Sequence, residues 1–369
     1  MRIHGVHDGS LYASEGRTVL VERDDETFER LGRVPLSRDL SSLVLAGPAD
    51  RVVERLLGPV RTVNLWRLTD DDWLATVGYA LYRSADCTRS WTRVRDLPDS
   101  SGTAGLLSTA ICRHDGDLYL GEYPLAHDAT PRILRSTDGG WSWATVLSVS
   151  GVRHIHSLTP DPHSGHIWVT TGDTDAASRI GYLRDDEFVV VGEGSQRWRA
   201  VEPVLTSDAI IWGMDSAYAD HRRILKLPRS RIGAVRPEPD SLCPVDGPVY
   251  YADSFELDGD CWVVFSTAVE PGADSTGPAK QDYETTAVVV AASSATRFRE
   301  WHELARFDRR RSPLERLYDG APAVNAYVFL AASSGRGLFV NPYNTHTRNG
   351  EVLQITPEQF ERLSAPTVG

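Results

Sequence analysis

Lysine is almost missing from this chain. Among 369 residues 39 are basic, and only Lys226 and Lys280 are lysines; 37 arginines face 51 acids, 32 of them Asp, for a net charge of −12. An ammonium-poor, carboxylate-rich surface stays hydrated in salt, which points to a salt-adapted or high-GC proteome such as that of a halophilic archaeon. The same balance repels phosphate backbones. The densest basic run, Arg306, Arg309, Arg310 and Arg311, is interrupted by Asp308, so no nucleic-acid partner is expected. No run approaches the ~18 apolar residues that span a bilayer, and residues 1–9 lack a signal peptide's hydrophobic region, so the expectation is a cytoplasmic protein without a membrane partner. The four cysteines, Cys87, Cys112, Cys243 and Cys261, have no metal-ligand spacing and read as free thiols. A Gly-rich phosphate loop, a Gly-x-Ser-x-Gly elbow and a Cys-x-x-Cys pair are all missing, which disfavours nucleotide use, a serine nucleophile and a zinc knuckle. No cofactor and no metal are expected.

What is present is a repeat. A short apolar strand ending in a small residue and a polar one recurs every forty to fifty residues, as Leu118-Tyr119-Leu120-Gly121-Glu122, Trp168-Val169-Thr170-Thr171-Gly172-Asp173, Ile211-Trp212-Gly213-Met214-Asp215, Val263-Val264-Phe265-Ser266 and Leu338-Phe339-Val340-Asn341. Turns such as Asp115-Gly116 and Asp258-Gly259 precede several copies. Strand, turn, strand, loop, strand, turn, strand is the sheet of one propeller blade, so the fold class read here is an all-β propeller. Seven units are counted, at 1–35, 60–97, 108–149, 152–194, 198–229, 248–307 and 320–357. Six blades follow instead if the first and last units complete one sheet between them. The chain reads as a single domain over 1–369, with a short helical insertion near 48–59 and a long loop at 272–278.

Two segments carry a sharper motif. Ser136-Thr137-Asp138-Gly139-Gly140-Trp141-Ser142-Trp143 fits S-x-D-x-G-x-[ST]-W at every fixed position, and Ser84-Ala85-Asp86-Cys87-Thr88-Arg89-Ser90-Trp91 fits it with Thr88 in place of glycine. The pattern resembles the Asp-box, or BNR repeat, of the sialidase-like propeller superfamily. Its turn chemistry is physical: Asp and Gly set a tight hairpin, Ser and Asp side chains bond turn amides, and Trp packs beneath. These turns join a blade's third and fourth strands, which makes Asp86 and Asp138 structural. The resemblance implies glycan processing, with arginines binding a substrate carboxylate, a Tyr–Glu nucleophile couple and an Asp as acid-base. Arg33-Val34-Pro35 resembles the family's arginine motif but sits on an outer strand, so the family's arginine triad is not carried over.

The face opposite those turns collects the polar residues. Candidate catalytic groups are His154, His156, Glu122, Asp173, Asp215 and Tyr251; candidate substrate-binding groups are Arg153, Arg179, Trp198, Arg199, Glu270 and Tyr343. Aromatic faces stack on sugar rings, carboxylates hold hydroxyls, and arginine forks hold sugar carboxylates. His154 and His156, at i and i+2, share one side of a strand and suit acid-base chemistry, substrate contact, metal ligation or plain backbone hydrogen bonds. The function expected is a glycoside hydrolase or a uronate lyase acting on an acidic glycan, the latter with His154, His156, Tyr251 and Arg199; the alternative is a non-catalytic propeller binding a glycan or protein. A monomer with an acidic oligosaccharide as its partner completes the expectation.

Overall fold

The computed structural model describes residues 1–23, 27–36, 63–98, 106–126, 128–216, 221–270, 285–317 and 323–364. The helix expected near 48–59 and the loop at 272–278 lie outside them. Seven antiparallel sheets follow one another along the chain as the blades of a propeller. Blade 1 comprises Arg2–His7, Ser10–Glu15, Thr18–Glu22 and Phe28–Arg33; blades 2 to 6 cover 64–96, 111–148, 155–193, 203–244 and 249–308. Blade 7 has three strands, Tyr327–Ser333, Gly337–Tyr343 and Leu353–Ile355. The seven-blade count therefore holds, and the six-blade alternative fails because the first and last units build separate sheets. The fifth unit runs further than its repeat suggested, since its fourth strand is Asp240–Pro244.

Side-chain alternation explains the packing. Second strands are buried on both faces, as in Ile167–Thr171 and Ala209–Gly213, because each lies within its sheet with a neighbouring blade against either side. Trp168, Trp212, Trp262 and Phe265 fill the gaps between blades, and all are fully buried. At the end of blade 5's second strand, a Cβ on Gly213 would sit 2.3 Å from Val249 of blade 6, so only glycine permits that approach. Outer strands are half exposed and share one irregularity. In every four-stranded blade the fourth strand carries one extra residue, and in each case it is apolar: Leu31, Val94, Val146, Val191, Leu242 and Leu304. A bulge there twists the exposed edge away from pairing with another chain while turning an apolar side chain inward.

Among the described residues, no strand crosses from one end of the chain to complete the sheet at the other. Blades 1 and 7 meet through side chains: Asn341, buried, accepts from the Ile3 amide at 3.1 Å and donates to the Glu351 carbonyl at 2.7 Å. Arg336 forks onto Glu22, and the Arg2 guanidinium lies 4.5 Å from the Phe329 ring. Among the described residues blade 7 has no fourth strand; helix α2 (Pro357–Ser364, after the one-turn α1 at Pro313–Leu317) instead drives Phe360 into the core shared with Phe255 and Trp262 of blade 6.

The inner strands leave backbone N–H groups facing away from their own sheets, and side chains of the preceding blade accept them. Glu202 takes the Ala252 amide at 2.9 Å, Asp253 takes the Ala332 amide at 2.7 Å, and His4 takes the Leu65 amide at 3.4 Å. Glu202 and Asp253 retain some contact with water, but the surrounding ring of strands desolvates them and pushes their carboxyls up to about 8 and about 6. The sign of the pH effect follows. Between about 4.5 and 8 the unfolded chain releases the Glu202 proton while the folded protein keeps it, so stability falls across that window and is level above it. Glu202→Gln should change nothing near pH about 4 and raise stability by about 2 kcal/mol at pH about 8, read from urea midpoints. Equal gains at both pH values would refute the assignment.

The two eight-residue motifs occupy equivalent turns between third and fourth strands of blades 2 and 3. Asp138 accepts from the Trp141 and Ser142 amides and from the Ser136 and Ser142 hydroxyls; Asp86 accepts from the Ser90 amide and from the Ser84 and Ser90 hydroxyls. Thr88 adopts φ 65° where Gly140 has 96°, so the degraded copy keeps the left-handed turn at some steric cost. A third turn of this kind was invisible in the sequence: in blade 6 Trp301 Nε1 donates to the Phe298 carbonyl, three residues back, just as Trp143 Nε1 donates to Gly140. Arg83 knits two blades, reaching the Gly139 carbonyl at 2.7 Å and pairing with Asp72.

Candidate functional site

Strand connectivity places the starts of first strands and the ends of second strands on the face away from these turns. There, residues of blades 3 to 7 meet. His154 Nε2 lies 3.1 Å from Asp173 Oδ1, and Arg153 contacts Asp173 Oδ2 at 3.3 Å. Arg199 bridges two blades: its Nη1 donates to the Asp173 carbonyl at 3.2 Å, its Nη2 lies 3.7 Å from Asp173 Oδ1, and its Nε donates to Asp215 Oδ2 at 3.1 Å. His156 Nδ1 faces the Ala200 carbonyl at 2.8 Å, and a Cβ on Gly172 would fall 2.3 Å from the His156 ring, so glycine makes room for it. Tyr123, His154 and His156 stack in sequence, with ring centroids 3.8 Å and 5.1 Å apart. On the next blade the Tyr250 hydroxyl donates to Glu270 and accepts from Asn325 Nδ2 at 3.4 Å.

Backbone irregularity aims two of these side chains. Along the first strand of blade 4, Ile155 pairs with Thr171 and Ser157 with Thr170, so His156 is an inserted bulge residue. Tyr250 has the same place in blade 6, between Val249 and Tyr251, and His4 in blade 1, between Ile3 and Gly5. A bulge shifts the alternation by one, turning its residue out of the sheet pattern. That is why Tyr250 reaches Glu270 while Tyr251, the sequence candidate, packs among Tyr327 and Phe329 in the core.

The electrostatics are uneven. Burial, and then the neighbouring His154, holds the His156 imidazole down to about 4, so it is neutral at neutral pH. Burial alone would raise Asp173, but the His154 hydrogen bond and the cations around it outweigh that and hold its carboxyl well below the usual range. Asp215 goes the other way: burial raises it despite the pull of Arg199 and His156. Arg199 is desolvated, yet Asp215, Asp173 and Glu270 together keep its guanidinium firmly protonated. Burial and then the Glu270 charge push the Tyr250 hydroxyl well up.

Of the twelve candidates, His154, His156, Asp173, Asp215, Arg153, Arg199 and Glu270 come together. Tyr343 borders them, stacked at 4.9 Å on Tyr327, whose ring lies 5.8 Å from Tyr250. Four candidates are engaged elsewhere. Glu122 is buried in a fork with Arg132, at 2.6 and 2.8 Å, and with Arg95. Arg179 pairs with Glu193 and the Ser150 carbonyl, Trp198 stacks in the core on Trp212 at 5.4 Å, and Tyr251 is the core residue described above. Tyr123, Tyr250 and Asn325 belong to the cluster but were not among the twelve. Their residue types fit, and only cross-blade geometry identifies them.

No family model matches the sequence, and no curated protein matches it. Solved structures resemble it in fold. An ancestral GH74 enzyme has a TM-score of 0.51 at 10% identity over 96% of this chain and 46% of its own. A puromycin hydrolase has 0.50 at 12%, over 96% and 53%. A chain of a mitotic checkpoint complex has 0.52 at 9%, over 96% and 89%. The chain spans about half the length of the first two, and the shared feature is the propeller. Among the described residues no helix is long and apolar enough to cross a membrane.

Proposed function

We propose that this face is the site of a glycoside hydrolase acting on an acidic glycan, as the Asp-box resemblance implies. The observation that carries the reading is the Tyr250–Glu270 hydrogen bond, set within electrostatic reach of Arg199 and Asp215. A tyrosine whose hydroxyl is held so far up needs a base, and Glu270 is placed to take its proton as Tyr250 Oη attacks the anomeric carbon. Asp215, whose carboxyl burial raises, is the group for the role of proton donor to the leaving oxygen. Water then releases the sugar from Tyr250, with Asp215 as the base. Arg153 and Arg199 bring two guanidinium groups to this face, the chemistry that holds a sugar carboxylate.

The test is product analysis with sialylated and uronate-containing oligosaccharides. New reducing ends without ultraviolet absorbance are expected. An unsaturated uronate would replace hydrolysis by elimination, with Tyr250 or His156 as base. Binding without any product would leave a lectin-like propeller and remove the enzyme reading.

A further inference from the structure

The stacked imidazoles carry a feature that the proposed hydrolysis does not use. His156 Nδ1 faces a carbonyl oxygen, which only accepts, so that nitrogen bears the proton and Nε2 is the one with a lone pair to offer. Among the described residues, His154 Nδ1 is buried with no hydrogen-bond partner. Both side chains are almost wholly enclosed, at 2% and 1% exposure. A buried ring nitrogen normally finds a partner, and the orphan on His154, in the ring stacked on His156, asks for an occupant.

One nitrogen from each histidine and one Asp173 oxygen lie within 4.8 Å of one another. Two imidazoles and one carboxylate, converging from one side, are the donor set of borderline divalent cations, and they leave the remaining positions open to water or substrate. The backbone carbonyl behind His156 supplies the outer contact that fixes a ligating imidazole. We propose that His154, His156 and Asp173 form a binding site for one divalent cation of the Zn²⁺ or Mn²⁺ class. Arg153 and Arg199 already touch Asp173 and compete with the ion, so the site is an exchangeable one rather than a closed structural one. It lies beside the sugar site of the preceding section, but its existence does not depend on that reading.

The experiment titrates protein freed of metal by EDTA with MnCl2 and ZnCl2 separately in a calorimeter. One ion per chain is expected, with affinity falling at least about tenfold in His156→Gln and in Asp173→Asn. His7→Ala should leave binding intact, since His7, Asp8 and Asp70 form a second, exposed group of possible ligands that serves as the control. Absence of saturable binding of either ion, or loss in His7→Ala with none in the other two variants, overturns the proposal. Should the core variants fail to fold, pulsed electron paramagnetic resonance of the wild-type protein with Mn²⁺ decides: coupling to two imidazole nitrogens supports the site, and no nitrogen coupling refutes it.

Discussion

Tyr250→Phe removes turnover of an acidic oligosaccharide by about 10⁴-fold or more, the scale on which losing a nucleophile acts, while substrate affinity changes little. The variant deletes one oxygen from a half-buried ring, so the melting temperature should stay close to that of the parent. Two controls sharpen the result. Tyr251→Phe, a change in the core beside Phe329, should keep nearly full activity. Glu270→Gln should lower turnover and shift its pH profile, because the base acting on Tyr250 is gone. If Tyr250→Phe retains more than about a tenth of the activity, a loss too small for a nucleophile, the hydrolytic assignment is wrong.

Asp161→Ala costs about 3–5 kcal/mol of stability, measured by urea unfolding, because it strands a half-buried guanidinium and a buried indole together. Asp161 closes the first turn of blade 4, is 1% exposed, and accepts both Arg229 nitrogens at 2.7 and 2.8 Å from blade 5 as well as Trp168 Nε1 at 3.1 Å. Burial raises its carboxyl, but Arg229, the Ser164 hydroxyl and the His163 amide outweigh that and hold it down to about 2. Its contribution is therefore complete above the unfolded value of 3.8 and lost as pH falls from there toward 2. Arg229→Met alone should cost less than Asp161→Ala, since the remaining carboxylate keeps its hydroxyl and amide donors, and a double-mutant cycle gives the coupling. A loss under about 1 kcal/mol for Asp161→Ala would mean that Arg229 finds water instead.

The repeat was legible because second strands are buried on both faces and spell continuous apolar runs, which turns then punctuate. Asp240–Pro244 gave no such signal, being short and half exposed. The candidate site was legible in residue type and in loop, but not in partner. His154, Asp173, Arg199 and Asp215 sit in consecutive loops on one face, and the topology alone brings them together. Glu122 and Trp198 lie in loops on the same face, yet Arg132 and Trp212 claim them, and sequence spacing holds no record of that. Tyr250 was passed over for Tyr251 because period-two reasoning assumes an unbroken strand, whereas the bulge shifts the parity at that residue.

The seam between blades 1 and 7 bears on how the molecule is made. One apolar cluster unites Ile3 and Leu11 at the start of the chain with Tyr251, Tyr327 and Phe339 near its other end. During synthesis each blade emerges as a contiguous segment able to pair its own strands, but this cluster cannot close until the segment around Phe339 has left the ribosome. From the synthesis of blade 1 until that of blade 7, this face of the first blade therefore waits bare, an adhesive surface with its complement still unmade, and blade 7 acts as the keystone that ends that interval.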